Sequence, residues 1–146
     1  MSHSNDPGNC VGCEKLFDLY PQFNVELRDW FSSVRSEFPD AHISCAGRGR
    51  VAQEAYFQRG ASLAHYGKSA HNYNMAIDMW KNDTSSESHY CLDRKWFLEV
   101  FKKFPIAGKF KWYGEPGTHF QELPHVEILK WYDKVYEGSE NKLVEP

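Results

Sequence analysis

Ser69-Ala70-His71-Asn72-Tyr73-Asn74-Met75-Ala76-Ile77-Asp78-Met79-Trp80 is the stretch on which the reading of this chain turns. It carries a histidine and, seven residues later, an aspartate inside an otherwise apolar run. From Met75 the pattern has the period of a half-buried strand. Met75, Ile77 and Met79 face one way; Ala76, Asp78 and Trp80 face the other. A carboxylate in such a strand needs a partner, because burying an unpaired charge is strongly unfavourable. A metal ion is one such partner and a lysine or arginine is another. On this stretch alone a plain ion pair is the simpler reading.

A second stretch changes the balance. Trp112-Tyr113-Gly114-Glu115-Pro116-Gly117-Thr118-His119-Phe120-Gln121-Glu122-Leu123-Pro124-His125-Val126-Glu127-Ile128 ends in another alternating run. There His125 and Glu127 share a face, while Val126 and Ile128 take the core side. Glu122 precedes His125 by three residues, behind a Leu-Pro step that holds the chain extended. Two histidines and an aspartate from two strands make a three-ligand set for zinc that leaves a position open for water. A carboxylate nearby that is not a ligand is what metal-assisted hydrolysis requires as general base.

Together the two stretches resemble the signatures of the M15 group of zinc peptidases. That group includes D-Ala-D-Ala dipeptidases and carboxypeptidases and the L-alanyl-D-glutamate endopeptidases of bacteriophage lysis. The first signature, Ser-x-His-x-x-Gly-x-Ala-x-Asp, is met at Ser69, His71, Ala76 and Asp78, with Asn74 in place of the glycine. Asparagine is the residue next most tolerant of positive φ, so a tight turn at that position survives the change. The second signature, an acid three residues before His-x-Glu, is met by Glu122, His125 and Glu127. The resemblance runs from about residue 24 to about 133.

The resemblance implies an α+β fold of the hedgehog/DD-peptidase type, a small antiparallel sheet flanked by helices with the site in a groove on the sheet. It implies that one Zn²⁺ is held by His71, Asp78 and His125, with Glu122 as the base that activates water. Glu127, on the face of His125, is better placed to accept a hydrogen bond from that histidine than to ligate, which fixes the imidazole tautomer. An arginine at the end of the first strand stabilises the oxyanion in this family. Arg48 is preferred to Arg50 for that part because Gln53, five residues on, matches a glutamine common after that arginine. The alternative for both arginines is a solvated loop position. Ser69 would contact the substrate peptide; the alternative is a turn-forming hydroxyl.

The 146 residues suit a single peptidase domain, with residues 1–20 and 137–146 peripheral or partly flexible. Aromatic residues make up 16 %, which argues against disorder outside the ends. A net charge of −3 without a basic stripe argues against nucleic acid as a partner. No apolar run approaches a membrane span, and the N-terminus has neither a basic start nor an apolar signal core. The expectation is synthesis in a host cytoplasm and action on the cell wall after release, as a monomer on peptidoglycan stem peptides. Cys10 and Cys13 form a C-x-x-C. Half a structural zinc site with His3, a redox pair, and reduced thiols are its three readings, the last preferred. Cys45 and Cys91 read as small core residues.

Elsewhere, Leu16 to Tyr20 suggest a short helical turn. Asn24 is a candidate N-cap for a helix with Leu27, Trp30, Phe31, Val34 and Phe38 inward, stopped by Pro39. Residues 41–47 read as a strand, followed by a helix containing Val51, Ala55, Tyr56 and Phe57. Residues 59–70 form a connection that would wall the groove. A polar loop is expected over Lys81 to Ser88, then a helix from about Leu92 to Phe104 and a strand over 110–113. A closing helix is expected within Ile128 to Tyr136. His119 is a loop histidine, an extra ligand or substrate contact in one reading and merely exposed in the other.

Within the enzyme reading, a phage endolysin cleaving the L-Ala–D-Glu bond is favoured over a D-Ala-D-Ala dipeptidase or carboxypeptidase. A zinc-bearing domain of the same fold that binds without hydrolysing is the alternative of a different class.

Overall fold

The computed structural model describes residues 23–83, 85, 90–114 and 123–137. Helix α1 (Val25–Glu37) begins where the Asn24 side chain accepts the Leu27 N–H at 3.0 Å, a cap that contributes about 1 kcal/mol. Its buried stripe is Leu27, Phe31 and Val34, with Trp30 and Phe38 packed at the margins. Pro39 follows the last turn, where the helix must stop.

Among the described residues five strands make one antiparallel sheet: β1 (Ala41–Cys45), β2 (Ala76–Asn82), β3 (Tyr90–Cys91), β4 (Phe110–Trp112) and β5 (His125–Ile128). The order is β1-β2-β5-β4, with β3 paired to β2. Lys81 of β2 pairs with Ala41 on one side and Cys91 on the other, so β3 continues the edge of β2 along which β5 lies.

The registers sort the side chains into two faces. Ile77 pairs with Val126, which pairs with Trp112; Ile128 pairs with Phe110. With Ile43 and Met79 these form the core face. It is covered by α1 and by α3 (Arg94–Lys103), which starts at an Asp93 cap and buries Trp96, Phe97 and Val100. Phe97 stacks on Trp112 at 5.8 Å, and Trp30 on Phe101 at 5.9 Å, so the two helices and the sheet share one aromatic core. The other face carries Ala76, Asp78, His125 and Glu127, since Asp78 pairs with His125 and Ala76 with Glu127.

Three expectations change. The β2 segment from Ala76 to Trp80 is buried throughout rather than on one side, because a folded connection covers its polar-bearing face. The strand also extends to Asn82, and β3 pairs with its end; two residues were too short to show a period. Finally, α2 (Arg50–Gln58) buries Gln53 while Val51 is 71 % exposed, so this helix is anchored by a polar side chain. A last helix, α4 (Trp131–Glu137), follows β5 and sets Trp131 against Tyr73 at 5.6 Å. Among the described residues no helix is long and apolar enough to cross a membrane.

Candidate metal centre

A 3₁₀ turn, Ala70–Tyr73, delivers His71 to the sheet. Ser69 caps it: its hydroxyl oxygen accepts the His71 N–H at 3.3 Å, and the Asn72 side chain returns an acceptor to the Ser69 N–H at 3.1 Å. The turn closes at Asn74, which stands in the left-handed region at φ 59°, ψ 35°. The chain then reverses directly into β2. A residue tolerant of positive φ at that point lets a histidine and an aspartate seven apart meet.

The meeting is close. Nε2 of His71 lies 3.2 Å from Oδ1 of Asp78 and 3.2 Å from Nδ1 of His125. His125 Nδ1 is 3.1 Å from the same Asp78 oxygen. All three residues are buried. The far nitrogen of each ring is committed: His71 Nδ1 is 2.7 Å from the Ala46 carbonyl oxygen, and His125 Nε2 is 2.7 Å from Glu127 Oε1. An imidazole nitrogen facing a carbonyl oxygen must carry its proton there. In the neutral rings Nε2 of His71 and Nδ1 of His125 therefore present lone pairs, and the Asp78 carboxylate presents a third. Three lone pairs converging at 3.1–3.2 Å repel unless a positive charge lies among them. A tetrahedral zinc with bonds of about 2.0–2.1 Å sets its nitrogen and oxygen ligands about 3.3 Å apart. The residues fit such an ion.

The second oxygen of Asp78 faces Arg48, whose Nη2 lies 3.4 Å from Oδ2. Arg48 is 6 % exposed, not a solvated loop side chain. Nη1 donates to Gln53 Oε1 at 3.1 Å, and Tyr56 lies under the guanidinium at 4.1 Å. Gln53 is held in turn, donating to the Ser62 hydroxyl and the Ala64 carbonyl at 3.0 and 2.6 Å. Asn72 donates to the Arg48 carbonyl at 2.9 Å and to Gln53 Oε1 at 3.2 Å. The Arg48 Nε–H has no partner among the described residues. Arg50, by contrast, is exposed, its guanidinium 5.0 Å from the Tyr66 ring.

The electrostatics are those of a cation site. Burial opposes charge on His71, yet the Asp78 carboxylate and Cys45 carry its pKa from 6.5 up to about 10. Burial likewise opposes charge on His125, but hydrogen bonds to Asp78 and Glu127 raise it. Burial would raise Asp78; His71 and His125 instead hold it well below the usual carboxylate range. Both histidines cannot carry a proton on the facing nitrogens at 3.2 Å, so one proton or one metal ion takes that position.

Two residues at the site were not singled out from sequence. Cys45 reads as core by alternation from Ile43, but β1 has an irregularity between Ile43 and Cys45, and Cys45 pairs with Asp78. This β-bulge at Ser44 turns the cysteine onto the polar face. Cys45, His71 and Asp78 each offer a ligand atom within 4.8 Å of one another. Tyr113 donates its hydroxyl to Glu127 Oε2 at 3.0 Å. In the structure Lys111 pairs with Glu127, and Tyr113 shares a face with Lys111; the sequence alone carries no signal for this contact. Glu122, His119, Cys10, Cys13, His3 and the 16–20 turn lie outside the described residues.

No family model matches the chain, and no curated protein does. Among solved structures it is similar to the crystal structure of Serratia marcescens L-Ala D-Glu endopeptidase ChiX. The TM-score is 0.61, at 14 % sequence identity over 85 % of this chain and 90 % of that one. The α+β fold is that of this neighbour.

Proposed function

We propose that the chain is a zinc-dependent peptidoglycan peptidase that cleaves the L-Ala–D-Glu bond of stem peptides, with His71, Asp78 and His125 as the metal ligands. The observation that carries this reading is the buried triangle of donor atoms at 3.1–3.2 Å. The fold shared with an L-Ala D-Glu endopeptidase supports the substrate class.

Held by His71, Asp78 and His125, a zinc ion would lower the pKa of a bound water to about 7 and would polarise the scissile carbonyl. The chain's residues do the rest. Ala46 and Glu127 take the outer ring protons, so both imidazoles aim lone pairs inward and do not rotate. Glu122, placed by the sequence motif three residues before His125, accepts the water's proton and returns it to the leaving amine. Arg48, fixed by Gln53 and Tyr56, holds positive charge where the carbonyl oxygen gains negative charge. The Ser69 hydroxyl oxygen accepts the His71 N–H in the turn, and its O–H would donate to a substrate carbonyl.

The decisive test is Glu122→Ala on purified sacculi. The variant should keep zinc and fold but lose nearly all turnover; full activity would overturn the base assignment. Mass analysis of wild-type digests should show stems released from glycan. Free D-alanine would instead indicate a carboxypeptidase, and a zinc-loaded protein inert on sacculi a binding domain. The bacteriophage endolysin role goes with the first outcome and calls for lysis of permeabilised cells.

A further inference from the structure

We propose that Cys45 is a fourth metal donor, so that the resting site is closed by a Cys-His₂-Asp set and the water position opens only when the sulfur leaves. The inference rests on the metal-site reading above and deepens it.

Three observations lead there. First, the sheet itself aims the sulfur. Unbroken alternation would set Ser44 beside Asp78 and put Cys45 in the core, yet the bulge gives Cys45 the place opposite Asp78. Second, the sulfur is within reach. The ligand atoms of Cys45, His71 and Asp78 lie within 4.8 Å of one another, whereas a tetrahedral zinc with a sulfur at about 2.3 Å needs about 3.5 Å between sulfur and its N or O neighbours. To His71 and Asp78 the gap is on the order of 1 Å, within the travel of a side chain with a single rotatable bond; His125 stands outside that group, so the sulfur must move toward it further. Third, charge balances. Among the described residues, Asp78 and Glu127 bring two negative charges and Arg48 one positive, and a divalent ion leaves the buried group one positive charge in excess. A thiolate at Cys45 removes that excess.

Arg48 fits this arrangement, since one guanidinium nitrogen, Nη2, spans both anions: 3.3 Å to Cys45 Sγ and 3.4 Å to Asp78 Oδ2. It is placed to receive the sulfur's charge when the metal releases it. The step balances simply. Cys–SH and M²⁺ would give M²⁺–⁻S–Cys, net charge +1, and a proton to solvent; when a substrate carbonyl or water replaced the sulfur, the thiolate would stay on Arg48 or take a proton back from solvent. A thiolate in the set also favours zinc and cobalt over magnesium, calcium and manganese.

The test uses the full chain loaded with cobalt(II). The wild type should show a sulfur-to-cobalt charge-transfer band in the near ultraviolet and tetrahedral d–d absorption. Cys45→Ser should lose the band and still bind one cobalt, while Cys91→Ser and the Cys10→Ser/Cys13→Ser double variant should retain it. Cobalt bound with d–d absorption but no thiolate band overturns the Cys45 assignment and leaves the His71–Asp78–His125 reading intact. Cobalt that does not bind, or that survives His71→Ala, overturns both. Should Cys45→Ser not fold, wild-type protein answers through alkylation by iodoacetamide, mapped by mass spectrometry. Zinc should slow modification of Cys45 at least tenfold without slowing Cys91, and equal rates with and without zinc overturn the proposal.

Discussion

Nε2 of His71 and Nδ1 of His125 face each other at 3.2 Å, though 54 residues separate them in the chain. Each ring's other nitrogen is spoken for by an acceptor, so neither can turn away to relieve the contact. Removing either ring should therefore remove the ion rather than loosen it. His71→Ala and His125→Ala should each lose stoichiometric zinc, measured by elemental analysis after dialysis, with the aromatic core still giving a cooperative melt. A His125 variant that holds one zinc as tightly as wild type would exclude it from the ligand set.

Glu127 tests the support behind His125, a ligand in the proposed site. Its Oε1 receives His125 Nε2–H at 2.7 Å, and its Oε2 receives the Tyr113 hydroxyl at 3.0 Å. Outer carboxylates of this kind are typically worth about 10–100-fold in metal affinity. Glu127→Ala should weaken zinc binding by that factor in a chelator competition, and Tyr113→Phe by less, because it removes one hydrogen bond and no charge. A Glu127→Ala variant that binds zinc as tightly as wild type, or more tightly, would show that the carboxylate does not orient His125 for the metal.

Arg48 has two duties that one variant can separate. It neutralises Asp78 Oδ2 and, in the proposed reaction, stabilises the oxyanion. Arg48→Ala assayed at saturating zinc should lower kcat by about 10²–10³, the scale for losing one oxyanion donor. If the residue serves only Asp78, the loss should instead appear in zinc affinity, with kcat near wild type once the site is filled. Gln53→Ala should reproduce part of the kcat defect, since it frees Nη1 and takes one of two acceptors from the Asn72 amide.

How much of this could be read from the chain follows from what each feature depends on. The turn from Ser69 to Asn74 and the strands after it are local, so hydroxyl, histidine, αL asparagine and aspartate sit where their spacing places them. The strand at His125 follows by the same alternation, and Asn24 opens α1 as a cap should. Cys45 was illegible because a bulge is one residue of slip between paired strands, and nothing within β1 announces it. The anchoring of α2 by Gln53 was equally hidden. A helix buried through an amide has no apolar period to reveal its inner face.

Asn74 offers a test of that turn apart from the chemistry. It sits at φ 59° with a side-chain oxygen that has no hydrogen-bond partner among the described residues. Asn74→Gly should therefore be close to neutral in urea unfolding. Asn74→Ala should cost about 1–2 kcal/mol, the penalty of a Cβ in the left-handed region. The loss should also appear as weaker zinc binding, because His71 and Asp78 lie on either side of the turn. An alanine variant as stable as the glycine one would mean that the backbone can leave the αL conformation without disturbing either ligand.

The pH dependence of metal-free and zinc-loaded protein should diverge, and the sign is set by the two ligand types. His71 is raised from 6.5 to about 10. Its proton therefore stabilises the metal-free fold fully below about pH 6.5, and that contribution fades as pH climbs toward about 10. Asp78 is depressed, so its contribution holds above its ordinary 3.8 and is lost as pH falls through its folded value. These two groups place the strongest metal-free fold between those limits. Zinc takes the position of the proton, so its affinity should rise by about tenfold per pH unit across the window in which His71 is protonated. Urea unfolding with chelator and with excess zinc, at about pH 6.5 and about pH 8.5, should show the stabilisation by zinc growing with pH. A difference between loaded and metal-free protein that stays flat over those two units would show that no proton leaves when the metal arrives, and that the buried triangle is not where it binds.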